Sequence, residues 1–176
     1  MYPFIRLGHQ LIRNRRLPPL AIGETHVTSV RVWPIDLDIF RELNNGRILT
    51  LMDLGRFGLF LRLGIPGRLK ANGWYGTVAG TAVRYRRRIT AFQKLELRTR
   101  VAGWDDRFTY FDQALWRDGE CCAHAVIRTA IVGKNGIVPA AEAAVGLGFP
   151  AESPELPDWI SAWAEAERVR PWPPEY

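Results

Sequence analysis

Apolar positions are most concentrated in the segment 46–64, which carries them on nearly every face of a helix. This pattern is typical of a helix that is buried all round rather than along one side. Asn44 or Asn45 can cap its first turn, and a Gly-Ile-Pro-Gly sequence marks its end. Gly55 and Gly58 lie within it and allow another backbone to come close. A single helix of this kind needs a curved sheet that wraps it.

Strand patterns lie on both sides of this helix. Valines and threonines before it predict a strand over 24–34, which a proline ends. After it, four strand-like runs with short breaks follow at 73–89, 94–104, 108–117 and 120–132. An Asp-Gly pair at 118–119 is a hairpin signal between the last two. The sequence therefore predicts an α+β fold with a five-stranded antiparallel sheet wrapped around one long apolar helix.

The two ends of the chain differ from this central part. Residues 1–20 form a basic amphipathic arm that contains four arginines and no acidic residue. Such an arm is either a short helix packed on its own domain or a surface helix, so residues 1–16 are a candidate for peripheral membrane contact. Residues 140–176 predict a loop, a short helix near 158–169 and a proline-rich tail. We expect one domain over 21–139 between these ends.

Composition narrows the class of protein. The 176 residues, of which 47% are hydrophobic, suffice for one domain with its own core. The net charge of +6 favours an anionic partner. Uncharged apolar stretches are shorter than the roughly 18 to 20 residues of a membrane-spanning helix, so we expect a soluble chain. Two adjacent cysteines and three scattered histidines exclude a disulfide framework and a zinc site, and they favour the cytoplasm.

Two aspartates, Asp36 and Asp38, precede the long helix. A helix N-terminus presents free backbone N–H groups and about half a positive charge. A carboxylate beside N–H groups that can bind a developing oxyanion is an arrangement suited to hydrolysis. Either aspartate can instead cap the helix or a turn. On the helix itself, Asp53 and Arg56 are spaced to form an ion pair.

A cluster of arginines follows the helix. At alternate positions of the run 73–89, Arg84, Arg86 and Arg88 are predicted to share one strand face that could bind phosphates. The alternatives are a solvated face and a nucleic-acid surface. Neighbouring strands lack interleaved aromatic residues, so we expect no nucleic-acid partner.

Several strings in this order resemble one family. They are DLDIFRELNNGRIL at 36–49, MDLGR at 52–56, YRRRITAFQKLELRTRVAGWDDRFTYFDQ at 85–113 and DGE at 118–120. Together they resemble the hot-dog-fold acyl-CoA thioesterases of the 4-hydroxybenzoyl-CoA thioesterase type, and more narrowly the thioesterase-like branch. The resemblance covers about residues 24–139 and implies the hot-dog fold.

The family pattern at the start of the helix is approximately D-x-D-x-x-x-H-x-N-N-x-x-Y. Its second aspartate, which matches Asp38, is implicated in catalysis, so the resemblance implies that Asp38 is the catalytic carboxylate. Both asparagines are kept, and Asn44 is a supporting residue. Glu42 stands where the family has histidine, and Ile48 where it has tyrosine. Glu42 either acts as a second carboxylate that favours a proton on the first, or faces solvent.

Two further groups complete the expected site. The helix N-terminus would supply backbone N–H donors from Asn45 or Gly46 to the thioester oxygen. In another branch of hot-dog thioesterases the acid comes from the helix, which makes Asp53 the rival carboxylate.

The resemblance implies an acyl-CoA thioesterase that hydrolyses a thioester to a carboxylic acid and a free thiol, without metal or organic cofactor. The substrate carrier is coenzyme A or acyl carrier protein, and Arg84, Arg86 and Arg88 are expected to bind its phosphates. A non-catalytic acyl-CoA or acyl-thioester binding module and a hot-dog acyl-thioester dehydratase remain alternatives. Dehydratases of this fold generally use histidine as base, and the loop at 36–45 has none. An uncovered sheet edge predicts a homodimer or homotetramer.

Overall fold

The computed structural model describes residues 3–174. Its helices are α1 (Phe4–Asn14), α2 (Asn45–Arg62), α3 (Ile65–Asn72), α4 (Ala140–Gly146) and α5 (Asp158–Arg168), with a 3-10 turn at Pro34–Asp36. Its strands are β1 (His26–Arg31), β2 (Tyr75–Tyr85), β3 (Lys94–Trp104), β4 (Thr109–Arg117), β5 (Glu120–Gly133) and β6 (Gly136–Ile137). All pairings are antiparallel in the order β1-β3-β4-β5-β2, with β6 beside β5.

Helix α2 packs against the concave face of this sheet, and glycines bring the two close. A Cβ atom on Gly55 would lie within 3 Å of the Thr99 Oγ1 atom on β3. A Cβ atom on Gly58 would lie equally close to the His26 ring on β1. Side chains of α2 are buried in the same core as side chains of β3. They include Leu51, Met52, Leu54 and Leu59 of the helix and Leu95 and Leu97 of the strand. The hot-dog arrangement that the sequence predicts is therefore confirmed.

Two predicted strands end earlier than expected: β1 ends at Arg31 rather than at 34, and β2 ends before 89. Strand β2 stops at Tyr85, because the N–H groups of Arg86 and Arg87 both donate to the carbonyl of Cys122 and the chain leaves the regular ladder. Arg84, Arg86 and Arg88 therefore do not share one strand face. The short elements α3, α4 and β6, each eight residues or fewer, are not predicted by the sequence pattern.

Helix α5 covers part of the sheet face opposite α2, which we call the outer face. Its buried Ile160 and Ala164 pack with Ala102, Tyr110 and Val126 of the sheet. These strand residues alternate with the ones that face α2, as the pleat requires. No helix among residues 3–174 has both the length and the apolar character needed to cross a bilayer.

The fully buried His26 lies at the junction of α1, β1 and α2. Its Nδ1 atom is 3.1 Å from the Arg62 guanidinium and accepts a hydrogen bond from it, since a guanidinium only donates. Burial, together with the positive charges of Arg62 and Arg13, lowers the pKa of His26 from 6.5 to about 4. The ring is therefore neutral in the folded protein at neutral pH.

This histidine predicts an acid-sensitive fold. Between pH 6.5 and 4 the unfolded chain binds a proton at His26 that the folded chain does not, so the free energy of unfolding falls as the pH is lowered. The loss attributable to His26 is about 2 to 3 kcal/mol over this window. Urea unfolding at several pH values measures it. His26→Gln should have a shallower dependence on pH, and an equally steep one would contradict the assignment.

Candidate active site

The loop before α2 is folded back on itself around Asp38. The backbone N–H of Asp38 donates to the Glu42 carbonyl over 2.9 Å, and Leu37 pairs with Leu43 as an isolated bridge. The Asp38 carboxylate accepts hydrogen bonds from the N–H of Phe40 at 2.8 Å and, more weakly, from the N–H of Glu42 at 3.4 Å. Asp38 is half-buried and fixed in this turn.

Asp36 is held in the interior of the protein by hydrogen bonds to its carboxylate. Its buried carboxylate accepts hydrogen bonds from Arg6 of α1 and from the N–H of Trp33, both at 2.8 Å, and from Arg47 of α2 at 2.9 Å. The side chain of Asp36 is fully buried. Asp36 therefore joins α1, the 3-10 turn and α2, as expected of an aspartate that caps local structure.

The N-terminus of α2 is capped and still presents free donors. Asn44 is the cap, and its Oδ1 atom accepts from the Arg47 N–H at 3.2 Å. Within residues 3–174, no acceptor lies in hydrogen-bond range of the N–H groups of Asn45 and Gly46. The positive end of the helix dipole and two available donors thus lie a few residues after Asp38.

Asp53 and Arg56 form the ion pair that their spacing predicts. Arg56 also donates to Gln113 Oε1 at 2.6 Å, and Gln113 in turn donates to Thr99 Oγ1 and to the Met52 carbonyl, each at 2.9 Å. Arg56 is thus held in a buried network. Burial raises the pKa of Asp53, and the Arg56 charge opposes this shift.

An apolar cavity of about 450 Å³ lies beside this ion pair. It is enclosed by the second half of α2, by α3 and α4, and by four strands. Its size falls within the range of small-molecule sites in proteins, about 300 to 1,000 Å³. Asp53 and Arg56 are the charged residues on its wall, and the apolar lining includes Phe57, Phe60, Leu69, Val101, Trp104, Phe111, Ile131, Ala143, Leu147 and Phe149. The sequence pattern does not predict this cavity, because its lining comes from eight separate segments of the chain.

The arginines are split between two places. Arg84 and Arg86 line an open cavity of about 580 Å³ on the outer face, together with Arg98 and Arg100. Arg88 instead donates to the Phe40 carbonyl at 2.6 Å.

Glu42, which stands at the family's histidine place, has an arginine partner. Its carboxylate lies 3.4 Å from the Arg88 guanidinium, which also donates to the Phe40 carbonyl in the loop that carries Asp38. Arg86 and Arg88 also line a cavity of about 220 Å³ with Glu42, Asn45 and Ile48. The structure thus brings Arg86 and Arg88, two of the three predicted arginines, to the start of α2.

Other groups with chemical potential lie elsewhere. Cys121 and Cys122 are unbridged, and burial raises the pKa of both thiols. His124 binds Asp112 on the outer face at 2.6 Å. Across residues 3–174, no three His, Cys, Asp or Glu side chains are grouped so that they could hold a metal ion.

The same architecture occurs in solved structures. A DHNA-CoA thioesterase from Staphylococcus aureus superposes with a TM-score of 0.60 at 15% identity, covering 82% of this chain and 92% of that one. Slr0204, a 1,4-dihydroxy-2-naphthoyl-CoA thioesterase from Synechocystis, superposes with a TM-score of 0.61 at 8% identity, covering 71% and 96%. At these identities the likeness shows the fold.

Sequence comparisons identify the family. Protein THEM6 from Xenopus laevis is 30% identical over 164 residues, which are 91% of this chain and 77% of that protein. Protein THEM6 from Drosophila melanogaster is 28% identical over 134 residues, 74% of this chain and 67% of that one. The model of the thioesterase-like superfamily matches residues 32–164, from the end of β1 into α5. The chain therefore belongs to the thioesterase-like superfamily.

Proposed function

We propose that this protein hydrolyses an acyl-CoA thioester to a carboxylic acid and a free thiol. The observation that carries the proposal is the apolar cavity beside α2, in a thioesterase-like chain whose helix N-terminus keeps two N–H donors free. The cavity would hold the acyl chain. The helix start would hold the reacting carbonyl.

Asp38 is the proposed catalytic carboxylate. As a general base it would take a proton from water while the water oxygen adds to the thioester carbon. As a nucleophile it would add to that carbon itself, and after the thiolate has left, water would hydrolyse the resulting anhydride to the carboxylic acid and restore the Asp38 carboxylate. The carbonyl oxygen becomes an oxyanion, which the N–H groups of Asn45 and Gly46 would stabilise. The C–S bond then breaks, and the thiolate leaves and takes up a proton. Water supplies the second reactant, so this scheme needs no metal or organic cofactor.

Asp53 is the rival carboxylate, and its environment differs from that of Asp38. It lies on the cavity wall, where burial raises its pKa. The side chain of Asp38 is held by N–H donors of its own turn. In the proposed scheme Asp53 orients Arg56 and closes one side of the acyl cavity, while Glu42 and Asn44 hold the loop and the helix cap.

The carrier would extend from the helix start toward the arginines. Arg86 lines both the small cavity beside Asn45 and the open cavity on the outer face. Arg84 and Arg86 have no acidic partner within ion-pair distance in the described part of the chain. Both can therefore bind the phosphates of coenzyme A or of a carrier protein's pantetheine arm, with Arg88 nearby.

The active form is proposed to be a homodimer or a homotetramer built from dimers. β2 pairs with β5 along one edge, and over the described residues no strand pairs with its other edge. The eleven residues of β2 thus present an unpaired sheet edge, on which a strand of a second copy of the chain can pair. Such pairing would bring strand residues of the partner subunit toward Asp38.

The dehydratase alternative finds little support in the histidine positions. His26 is buried under α1, His124 lies on the outer face, and His9 is exposed on α1. None of them lines the apolar cavity.

Narrowing the cavity should change the acyl preference. Ala143→Leu adds three carbons to the buried side of α4, which lines the cavity. A substrate methylene that no longer fits in a hydrophobic pocket costs about 1 to 3 kcal/mol of transition-state binding. The value of kcat/KM for the longest accepted acyl-CoA should therefore fall by roughly 10- to 200-fold. Short acyl-CoAs should be affected little. Thiol release across a chain-length series measures this.

A matched control lies on the same helix. Ala141 is exposed on α4, so Ala141→Leu adds the same atoms outside the cavity and should leave the chain-length profile unchanged. If both variants lower the rates of all substrates equally, the cavity does not hold the acyl chain and the proposal loses its main support.

A further inference from the structure

Helix α1 turns polar side chains toward the protein. Gln10 and Asn14 are only 5% and 2% exposed. Gln10 Nε2 donates to the Ser29 carbonyl at 3.1 Å, and Gln10 Oε1 accepts from the Thr28 hydroxyl at 2.7 Å. Arg6 on the same helix binds the buried Asp36. Polar contacts therefore hold α1 on the domain.

The apolar residues of α1 point largely into solvent. Phe4 is 70%, Ile5 90% and Ile12 61% exposed. Leu7 alone of the helix's apolar residues packs against the main core, from a half-buried position. A helix that packed only on its own domain would bury its apolar residues, so the exposed ones fit a second environment.

Positive charge accompanies this exposed face, which we define by Phe4, Ile5 and Ile12. The first 23 residues contain no acidic side chain. Arg13, Arg15 and Arg16 at the end of the helix have no ion-pair partner among residues 3–174. A second copy that docks by the same face is a poor occupant, because it would bring its own Arg13, Arg15 and Arg16 against these arginines. A surface of anionic phospholipids matches both the apolar and the basic residues.

We propose that the exposed face of α1 docks on an anionic lipid bilayer. Phe4, Ile5 and Ile12 would enter the boundary between headgroups and acyl chains, and Arg13, Arg15 and Arg16 would bind lipid phosphates. The helix stays attached to the domain through Gln10 and Arg6. The protein thus binds the membrane at its surface, independently of the thioesterase reaction proposed above.

Vesicle co-sedimentation tests the proposal with the full chain. One set of vesicles contains phosphatidylcholine alone, and a second contains phosphatidylcholine with phosphatidylglycerol. The test variant is Ile5→Asp/Ile12→Asp. The matched control is Val145→Asp/Val169→Asp, which changes two exposed valines, on α4 and at the end of α5. Thermal unfolding of both variants checks the fold, which exposed positions should leave intact.

We expect the wild type to bind the anionic vesicles, to bind neutral vesicles weakly and to release as salt is raised. Ile5→Asp/Ile12→Asp should bind roughly tenfold or more weakly, and the valine control should bind like wild type. Absence of wild-type binding, or equal binding by the isoleucine variant, would overturn the proposal. So would a change from oligomer to monomer in that variant, since the face would then be an interface between copies.

Discussion

Asp38→Asn is expected to lower kcat for thioester hydrolysis by about 10²- to 10⁴-fold, because it removes the charge that attacks the thioester carbon or accepts the water proton. The asparagine Oδ1 atom can still accept the hydrogen bond that Phe40 donates at 2.8 Å, so the turn should keep its shape. KM for acyl-CoA should change little, since neither the cavity nor the arginines are altered. Steady-state thiol release gives both constants.

Asp53→Asn is the discriminating control. It keeps a polar group beside Arg56 and should lower kcat less than Asp38→Asn, or act through a loss of stability that unfolding measurements would show. If a folded Asp53→Asn protein is inactive while Asp38→Asn turns over, the catalytic acid lies on the helix and the assignment is wrong.

Asn45→Pro should lower kcat by roughly 10²- to 10³-fold, through loss of one backbone donor to the oxyanion. Proline is tolerated at the first position of a helix, where the N–H has no intrahelical partner. Asn44 has φ −58° and ψ 136°, backbone angles that suit a residue before proline. The helix should therefore be kept while the donor is lost.

Asn45→Ala is its matched partner, because it removes the exposed side chain and keeps the N–H. The alanine variant should retain kcat near the wild-type value. If the two variants lose equal activity, the Asn45 side chain matters rather than its backbone donor. If neither loses activity, the start of α2 does not bind the oxyanion.

Local patterns were sufficient for most of the fold. β3 was predicted at its observed bounds, because alternation is regular over Lys94–Trp104. The hairpin at 118–119 followed from an Asp-Gly pair, and both residues indeed have positive φ. The dense apolar pattern likewise predicted α2 and its burial. The two short helices were not predicted, because the eight residues of α3 and the seven of α4 are too few to show a helical period.

The sequence predicted less of the candidate site than of the fold. Asn44 as cap and the Asp53–Arg56 pair follow from spacing, because both depend on residues within one turn of helix. The pairing of Glu42 with Arg88 does not, because 46 positions separate them and only the end of β2 brings them together. Alternation along a strand predicted a shared face for the arginines and failed where the strand ended.

We propose that this chain hydrolyses acyl thioesters rather than only binding them. The most direct measurement is the release of free thiol by the purified protein from a panel of aliphatic and aromatic acyl-CoAs, with binding of the same compounds measured in parallel. We expect saturable release, well above the uncatalysed rate, for at least one acyl group that fits the cavity beside α2. Saturable binding of acyl-CoAs without thiol release from any of them would contradict it and identify a binding module.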